Sequence, residues 1–199
     1  MAIFITADFH IGDSRMEILG RPFDSADVMI ETLIKNHNSV VKPDDEVIIV
    51  GDVCCNKTLD KIHLVERFNG KKTLIRGNHD IGLSDDILSK YFDRIITDGG
   101  GLKIKVGDIP CYATHYPTTG MKDRFCLVGH VHAAWKYQLN MYNIGIDCNH
   151  FYPVNLNTIP FHLNAITNFY DEDVWAAYNE INTAYRDKRG KKGVYFNAD

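Results

Sequence analysis

Five short blocks in this chain carry the residue types that bind divalent metals: Asp8-Phe9-His10, Gly51-Asp52, Gly77-Asn78-His79-Asp80, Thr114-His115 and Gly129-His130-Val131-His132. Five of the nine histidines fall inside them. Together they offer two metal ions a full set of oxygen and nitrogen donors, including one carboxylate that could be shared between them. Such a pair suits attack on a phosphate ester. The ester is anionic and repels hydroxide; two cations neutralise its oxygens and lower the pKa of a water held between them. Ions about 3.5–4 Å apart cannot be enclosed by one segment, so the ligands must arrive from several elements. Singly, each block is weak, because Asp-x-His at a strand end and Gly-Asp in a turn are common. The ordered set carries the reading.

The elements that would deliver these blocks are legible in the apolar pattern. Ala2–Thr6 reads as a strand ending at Asp8, and a helix should run from Asp24 or Ser25, either of which would cap it, to Val41. Val28, Leu33, Ile34, His37 and Val41 include its apolar face. Glu46–Val50 is apolar on both faces, as in a buried central sheet, and Asp52 stands just beyond its end. A helix over Leu59–Phe68 and a strand at Thr73–Ile75 follow, the strand delivering Arg76 and the Asn78 block. After a short helix at Asp85–Phe92 the pattern turns to strands: Arg94–Thr97, Leu102–Val106, Ile109–Ala113, Phe125–Val128 and Met141–Ile146. Asp98-Gly99-Gly100-Gly101 and Gly107-Asp108 are hairpin turns by composition. A short helix at Leu156–Ala165 and a terminal helix at Asp171–Arg189 complete the chain. The expected fold is α/β: a two-sheet β-sandwich flanked by helices in four layers, plus a C-terminal helix.

At 199 residues the chain fits one domain, and 45% hydrophobic with 24% charged residues is ordinary for a soluble globular protein. A net charge of −4 argues against holding polyanions by bulk electrostatics. The five cysteines form no CxxC or zinc-ribbon spacing and read as reduced, mostly buried thiols, which implies a reducing compartment. Met1 leads into a short apolar run with no basic region before it, and nothing approaches the ~20 apolar residues of a membrane span. The expectation is a soluble, cytoplasmic protein.

The ordered pattern Asp8-x-His10, Gly51-Asp52, Gly77-Asn78-His79-Asp80, His115, Gly129-His130-x-His132 resembles the calcineurin-like metallophosphoesterase superfamily, most closely its compact single-domain prokaryotic and phage members. Arg21-Pro22-Phe23, Asn38 to Asp45 and Pro153-Val154-Asn155-Leu156 add to the likeness, which spans roughly residues 1–165. The implied organisation is a metallophosphoesterase domain over 1–165 and a helical extension, 166–199, packed on it. The resemblance implies one metal on Asp8, His10, Asp52 and His132, and a second on Asp52, Asn78, His115 and His130, with Asp52 bridging. It also implies His79 near the leaving group, Asp80 orienting that histidine, and attack by a metal-bridging hydroxide. Mixed imidazole and carboxylate ligation suits Mn, Fe, Zn, Ni or Co better than Ca or Mg, and likeness to bacterial members puts Mn first.

Other residues read less sharply. Arg76 reads equally as a phosphate clamp or as a strand-end arginine paired with an acid. Trp135, close after His132, offers a stacking face to a nucleobase, though interface aromatics near a turn are at least as common. The loops holding Arg15, Arg21, Lys122 and Arg124 flank the site, and a solvated loop is the simpler reading for most of them. The basic run from Arg186 to Lys192 reads as a solvated helix end. The block ends in Asp80, and the Gly-Asp-x-x-Asp-Arg-Gly of related protein phosphatases is absent, so a Ser/Thr protein phosphatase is disfavoured. The resulting expectation is a phosphodiesterase acting on a small nucleotide-like ester. The rivals are a nuclease of the same superfamily, with nucleic acid less favoured as a partner, and a non-catalytic metal-binding scaffold.

Overall fold

Apolar runs too short for helices form the strands of this chain, and they do so in two groups. In the computed structural model, which describes residues 1–97 and 99–167, the first group alternates with helices. Strand β1 (Ile3–Thr6) leads through the single turn α1 (Met16–Leu19) to helix α2 (Ala26–Val40) and then β2 (Glu46–Val50). A run of 3-10 turns, Leu59–Arg67, precedes β3 (Lys71–Ile75), and the short α3 (Asp85–Leu88) precedes β4 (Arg94–Ile96). The second group is β5 (Gly101–Val106), β6 (Ile109–Thr114), β7 (Phe125–Val128), β8 (Tyr137–Gln138) and β9 (Met141–Asn143). The chain closes with β10 (Val154–Asn155) and α4 (Ile159–Thr167).

The strands assemble into two mixed sheets, ordered β10-β1-β2-β3-β4 and β5-β6-β7-β9-β8. In the first, β1 to β4 run parallel, with Phe4 beside Val47 and Ile49 beside Leu74, and β10 is antiparallel at the edge. In the second, β6, β7 and β9 are parallel, while β5 and β8 are antiparallel edges. Two five-stranded sheets with flanking helices make the expected α/β sandwich. Main-chain contacts join the sheets at the carboxyl ends of their parallel strands: Ile146 N–H donates to the Ala7 carbonyl, and Ala7 bridges Gly145. All five metal-binding blocks leave at that rim, where open parallel sheets place their ligands.

The core explains why the helices lie where they do. Ser25 caps α2 by accepting from Val28 N–H at 3.2 Å, and Met29, Ile30, Leu33, Ile34 and His37 form its buried stripe. Val28 was expected on that face and is exposed, because it falls off the stripe that the Ser25 cap sets. The stripe packs on Phe4, Val47, Ile49 and Leu74 with Val65 and Phe68 alongside. Ile48 and Val50, on the opposite face of β2, are buried as well.

Three further boundaries differ from the sequence reading. Leu59–Arg67 is 3-10 rather than α, and the Asp85 helix stops at Leu88. The strand expected to Ile146 ends at Asn143, whose side chain accepts from Gly145 N–H and turns the chain into a 3-10 turn at Ile146–Cys148. All five cysteines are free thiols, four of them buried. Among the described residues no helix is long and apolar enough to cross a membrane. Residues Met1–His162 form one compact unit; a second begins at Leu163 and is described only to Thr167. Asp98, the helix expected at Asp171–Arg189 and the basic run after it lie outside the described residues.

Candidate metal centre

Each block follows a strand that ends at the shared rim, and the donors converge there. Asp8, His10 and His132 bring ligand atoms within 4.8 Å of one another, as do His10, Asp52 and His79, and again Asp52, His115 and His130. Asp52 Oδ2 lies 3.5 Å from His10 Nε2 and 3.5 Å from His115 Nε2. Asn78 Oδ1 sits 3.0 Å from His130 Nδ1 and 3.3 Å from His115 Nε2. All seven expected ligands are thus assembled, with the Asp52 carboxylate between a cluster on each side. His79 stands edge-on to His10, ring centroids 4.9 Å apart. Tyr116, which the sequence reading did not single out, sets its ring edge-on to both His115 and His130.

Backbone geometry is under strain at this rim. Asp8, His10, Asp52, His130 and His132 have φ of 62°, 50°, 55°, 74° and 46°, in the left-handed region that side-chain-bearing residues rarely occupy. Each such residue costs on the order of 1–3 kcal/mol and persists only where its surroundings enforce it. Glycines in and beside the blocks explain part of the enforcement. A Cβ on Gly77 would stand 2.8 Å from Asp52 N and from His115 Cε1, and one on Gly145 would stand 2.7 Å from Asp8 Oδ2. The backbone is pressed against the donors, so only glycine fits.

The electrostatics of the rim favour a bound cation. Both ring nitrogens of His10 are buried without a hydrogen-bond partner. Burial pushes the Asp8 carboxyl up to about 7, partly offset by the nearby His115 charge. Burial opposes ionisation of Asp52 too, yet the His10 and His115 imidazoles, each 3.5 Å from its Oδ2, hold it well below the usual carboxylate range. His115 is raised to about 9 in spite of burial, through the hydrogen bond and charge of Asp52. Orphaned imidazole nitrogens beside buried carboxylates are what a divalent metal satisfies, and the mixed nitrogen and oxygen set fits one.

Behind the donors lies support that the sequence did not disclose. The Arg21 guanidinium is buried and donates to the carbonyls of Asp8 (2.6 Å) and Phe9 (2.9 Å). It also pairs with Asp147, Nε to Oδ1 at 2.8 Å and Nη2 to Oδ2 at 3.0 Å. Asp147 Oδ2 in turn accepts from His132 Nδ1 at 2.9 Å, which leaves Nε2 of that ring as its free donor. That hydrogen bond is the main reason His132 titrates above its ordinary value. Asn143, fully buried, donates to the carbonyls of His132 and Trp135. Nothing in the text around Asp147 marks it, and Arg21 figured only as a motif residue and a loop cation.

Three further residues expected at the site take the following places. Asp80 was expected to orient the His79 ring. Its carboxylate instead accepts three backbone N–H groups, from Asp52 (2.8 Å), Val53 (3.0 Å) and Gly77 (2.9 Å). It therefore fixes the loops that carry Asp52 and Asn78, and His79 N–H donates to Asp52 Oδ1. Arg76 pairs with Asp85 and lines a surface cavity with Ile81, Leu83 and Thr97. Trp135 is half-buried and fixed through its carbonyl.

Comparison with known proteins agrees with this architecture. An uncharacterised protein, MJ1445, of Methanocaldococcus jannaschii is 38% identical over 81 residues, 39% of this chain and 46% of that protein. The gene 66 protein of Mycobacterium phage L5 is 38% identical over 80 residues, 39% of each. The matched segment is less than half the length of either curated relative. Among solved structures, the protein of unknown function AQ665 from Aquifex aeolicus shares the fold, with a TM-score of 0.64 at 19% identity over 81% of this chain and 98% of that one. The description of the calcineurin-like phosphoesterases matches residues 1–162, the whole span that builds the sandwich and its rim. The chain belongs to the calcineurin-like phosphoesterase family.

Proposed function

We propose that the chain is a phosphodiesterase that uses two divalent metals, Mn²⁺ first among them, to hydrolyse a small nucleotide-like ester. Asp8, His10, Asp52 and His132 would hold one ion, and Asp52, Asn78, His115 and His130 the other. The observation that carries the reading is the Asp52 carboxylate, 3.5 Å from both His10 and His115, with a donor cluster on either side. When bound, the metals supply positive charge for the phosphate oxygens and acidify water.

The chain's own residues do the rest. The strained, glycine-packed loops fix the donors before substrate arrives, so little reorganisation is needed in the reaction. Asp80 holds two of those loops in register through three N–H groups. His79 stands beside His10 and Asp52; on this assignment of the two shells it is left to protonate the departing oxygen. The five free thiols support a reducing compartment, the cytoplasm.

The test is a panel on metal-reconstituted protein: aryl and nucleotide monoesters, linear and cyclic diesters, and single-stranded DNA. Diesters of small nucleotides should turn over fastest with Mn²⁺. His79→Ala should keep its bound metal and lose about 10²–10⁴-fold in turnover. Unchanged turnover in that variant refutes the role of His79, and no hydrolysis of any ester with Mn, Fe, Zn, Ni or Co favours a scaffold.

A further inference from the structure

A second feature adjoins His79 and is absent from the donor set. A cavity of about 260 Å³ opens between the loop after β1 and the loop after β2, lined by Asp13, Ser14, Arg15, Asn56, Lys57 and His79. That volume is slightly under the ~300–1,000 Å³ usual for sites holding whole drug-sized ligands, and it suits a phosphorylated sugar. Asp13 is the single acid in the lining, and Arg15 neutralises it, Nε and Nη2 gripping its carboxylate at 3.0 and 2.6 Å. These hydrogen bonds hold Asp13 down at about 2. Asp13 is buried and Arg15 half-exposed, so one edge of the guanidinium is anchored while the rest remains accessible. Lys57, the other cation of the lining, is exposed on the facing loop. The pocket beside the leaving-group histidine is therefore cationic, although the chain as a whole is acidic.

We propose that this pocket binds a second phosphate carried by the leaving alcohol, which makes the substrate a diester whose departing half is itself phosphorylated. The inference rests on the phosphodiesterase reading and on His79 facing the leaving oxygen. In the reaction, water supplies its oxygen to phosphorus and the bond from phosphorus to the leaving oxygen breaks with its electron pair. That oxygen gains a proton, and one proton of the water is released. Arg15, fixed by Asp13, and Lys57 hold the second phosphate and thereby place the leaving oxygen against His79. A phosphorylated dinucleotide and a nucleic acid strand share this chemistry.

The experiment compares thymidine dinucleotides that bear no terminal phosphate, a 5′-phosphate or a 3′-phosphate, on the Mn²⁺-loaded full chain. The products of the unphosphorylated compound reveal which nucleoside leaves. The phosphate on that nucleoside should raise kcat/KM about tenfold or more, and the phosphate on the other should not. The ratio should fall toward one in Lys57→Ser, an exposed position that the fold tolerates, and in Arg15→Gln. Equal gains from both phosphates, or a ratio unchanged in both variants, overturns the proposal. A longer thymidine strand matching the better dinucleotide would identify a strand as the source of the second phosphate; a marked preference for the dinucleotide would identify a small molecule. Calorimetry with thymidine 3′-phosphate and 5′-phosphate on the full chain without added metal gives a readout independent of turnover. One of them should bind about tenfold more weakly to Lys57→Ser, and equal binding to both proteins overturns the pocket. Absence of hydrolysis with that binding difference intact would sink the phosphodiesterase reading and leave the phosphate pocket standing.

Discussion

Replacing Asp147 with alanine separates two things that this one carboxylate does. It is the counter-ion of Arg21, whose side chain is 0% exposed while that of Asp147 is 3% exposed. Removing it strands a buried guanidinium on two backbone carbonyls, and breaking a buried pair from one side costs about 3–5 kcal/mol. Urea unfolding of the metal-free chain should register that loss. The carboxylate is also the acceptor for His132 Nδ1, at 2.9 Å. Without it the ring loses its fixed orientation and tautomer, and Mn²⁺ affinity measured by calorimetry should fall about 10–100-fold. Asp147→Asn splits the two effects, since one amide oxygen can still accept from His132 but cannot neutralise Arg21. It should keep most of the metal affinity and lose most of the stability. A double change, Arg21→Met with Asp147→Leu, removes the stranded charge and should recover part of the stability without the affinity. An Asp147→Ala protein within about 1 kcal/mol of the parent and unchanged in Mn²⁺ affinity would refute the reasoning.

Two further perturbations test other parts of the structure. Gly77→Ala pushes a methyl group against Asp52 N and His115 Cε1, each 2.8 Å from the new carbon, and should cost about 1–3 kcal/mol by overpacking while weakening metal binding; calorimetry showing parental affinity would contradict the packing argument. His37, buried on Phe68 with Nε2 bonded to the Asn69 carbonyl, is drawn down to about 4 by burial, the Asn69 hydrogen bond opposing and Lys72 assisting. Its folded pKa lies below the ordinary 6.5, so the unfolded chain takes up the proton first as pH falls. Stability should be full above about 6.5 and decline toward pH 4, by at most about 3 kcal/mol from this group. His37→Gln should flatten that part of the pH profile, measured as the difference in unfolding free energy between the two proteins, and an identical slope would rule His37 out.

The convergence of Asp8, His10, Asp52, Asn78, His115, His130 and His132 was legible because each lies at the end of a short apolar run. Parallel strands of one sandwich bring such ends together whatever the loops between them. The alternation of strand and helix before Phe92 and the run of strands after it were enough for the two sheets. Long-range polar pairing was not legible. Arg21 and Asp147 are 126 positions apart, and no local pattern marks either as the other's counter-ion. Asp80 was assigned to the ring beside it in sequence, whereas burial made three backbone donors its stronger claimants. Val28 shows the limit of reading an amphipathic face: one apolar residue off the stripe looks the same in text as one on it.

The left-handed backbone at Asp8, His10, Asp52, His130 and His132 restricts the alphabet in which such a site can be written. Aspartate, asparagine and histidine are the non-glycine residues most often found in that conformation. They are also among the common ligands of first-row metals. Two independent filters, one steric and one coordinative, thus admit nearly the same few letters. A glutamate or cysteine chosen only for its affinity for metal passes the second filter and is handicapped by the first. Redesign toward another ion is for this reason more promising at Asn78 and His115, which are not among the left-handed positions, than at the other five.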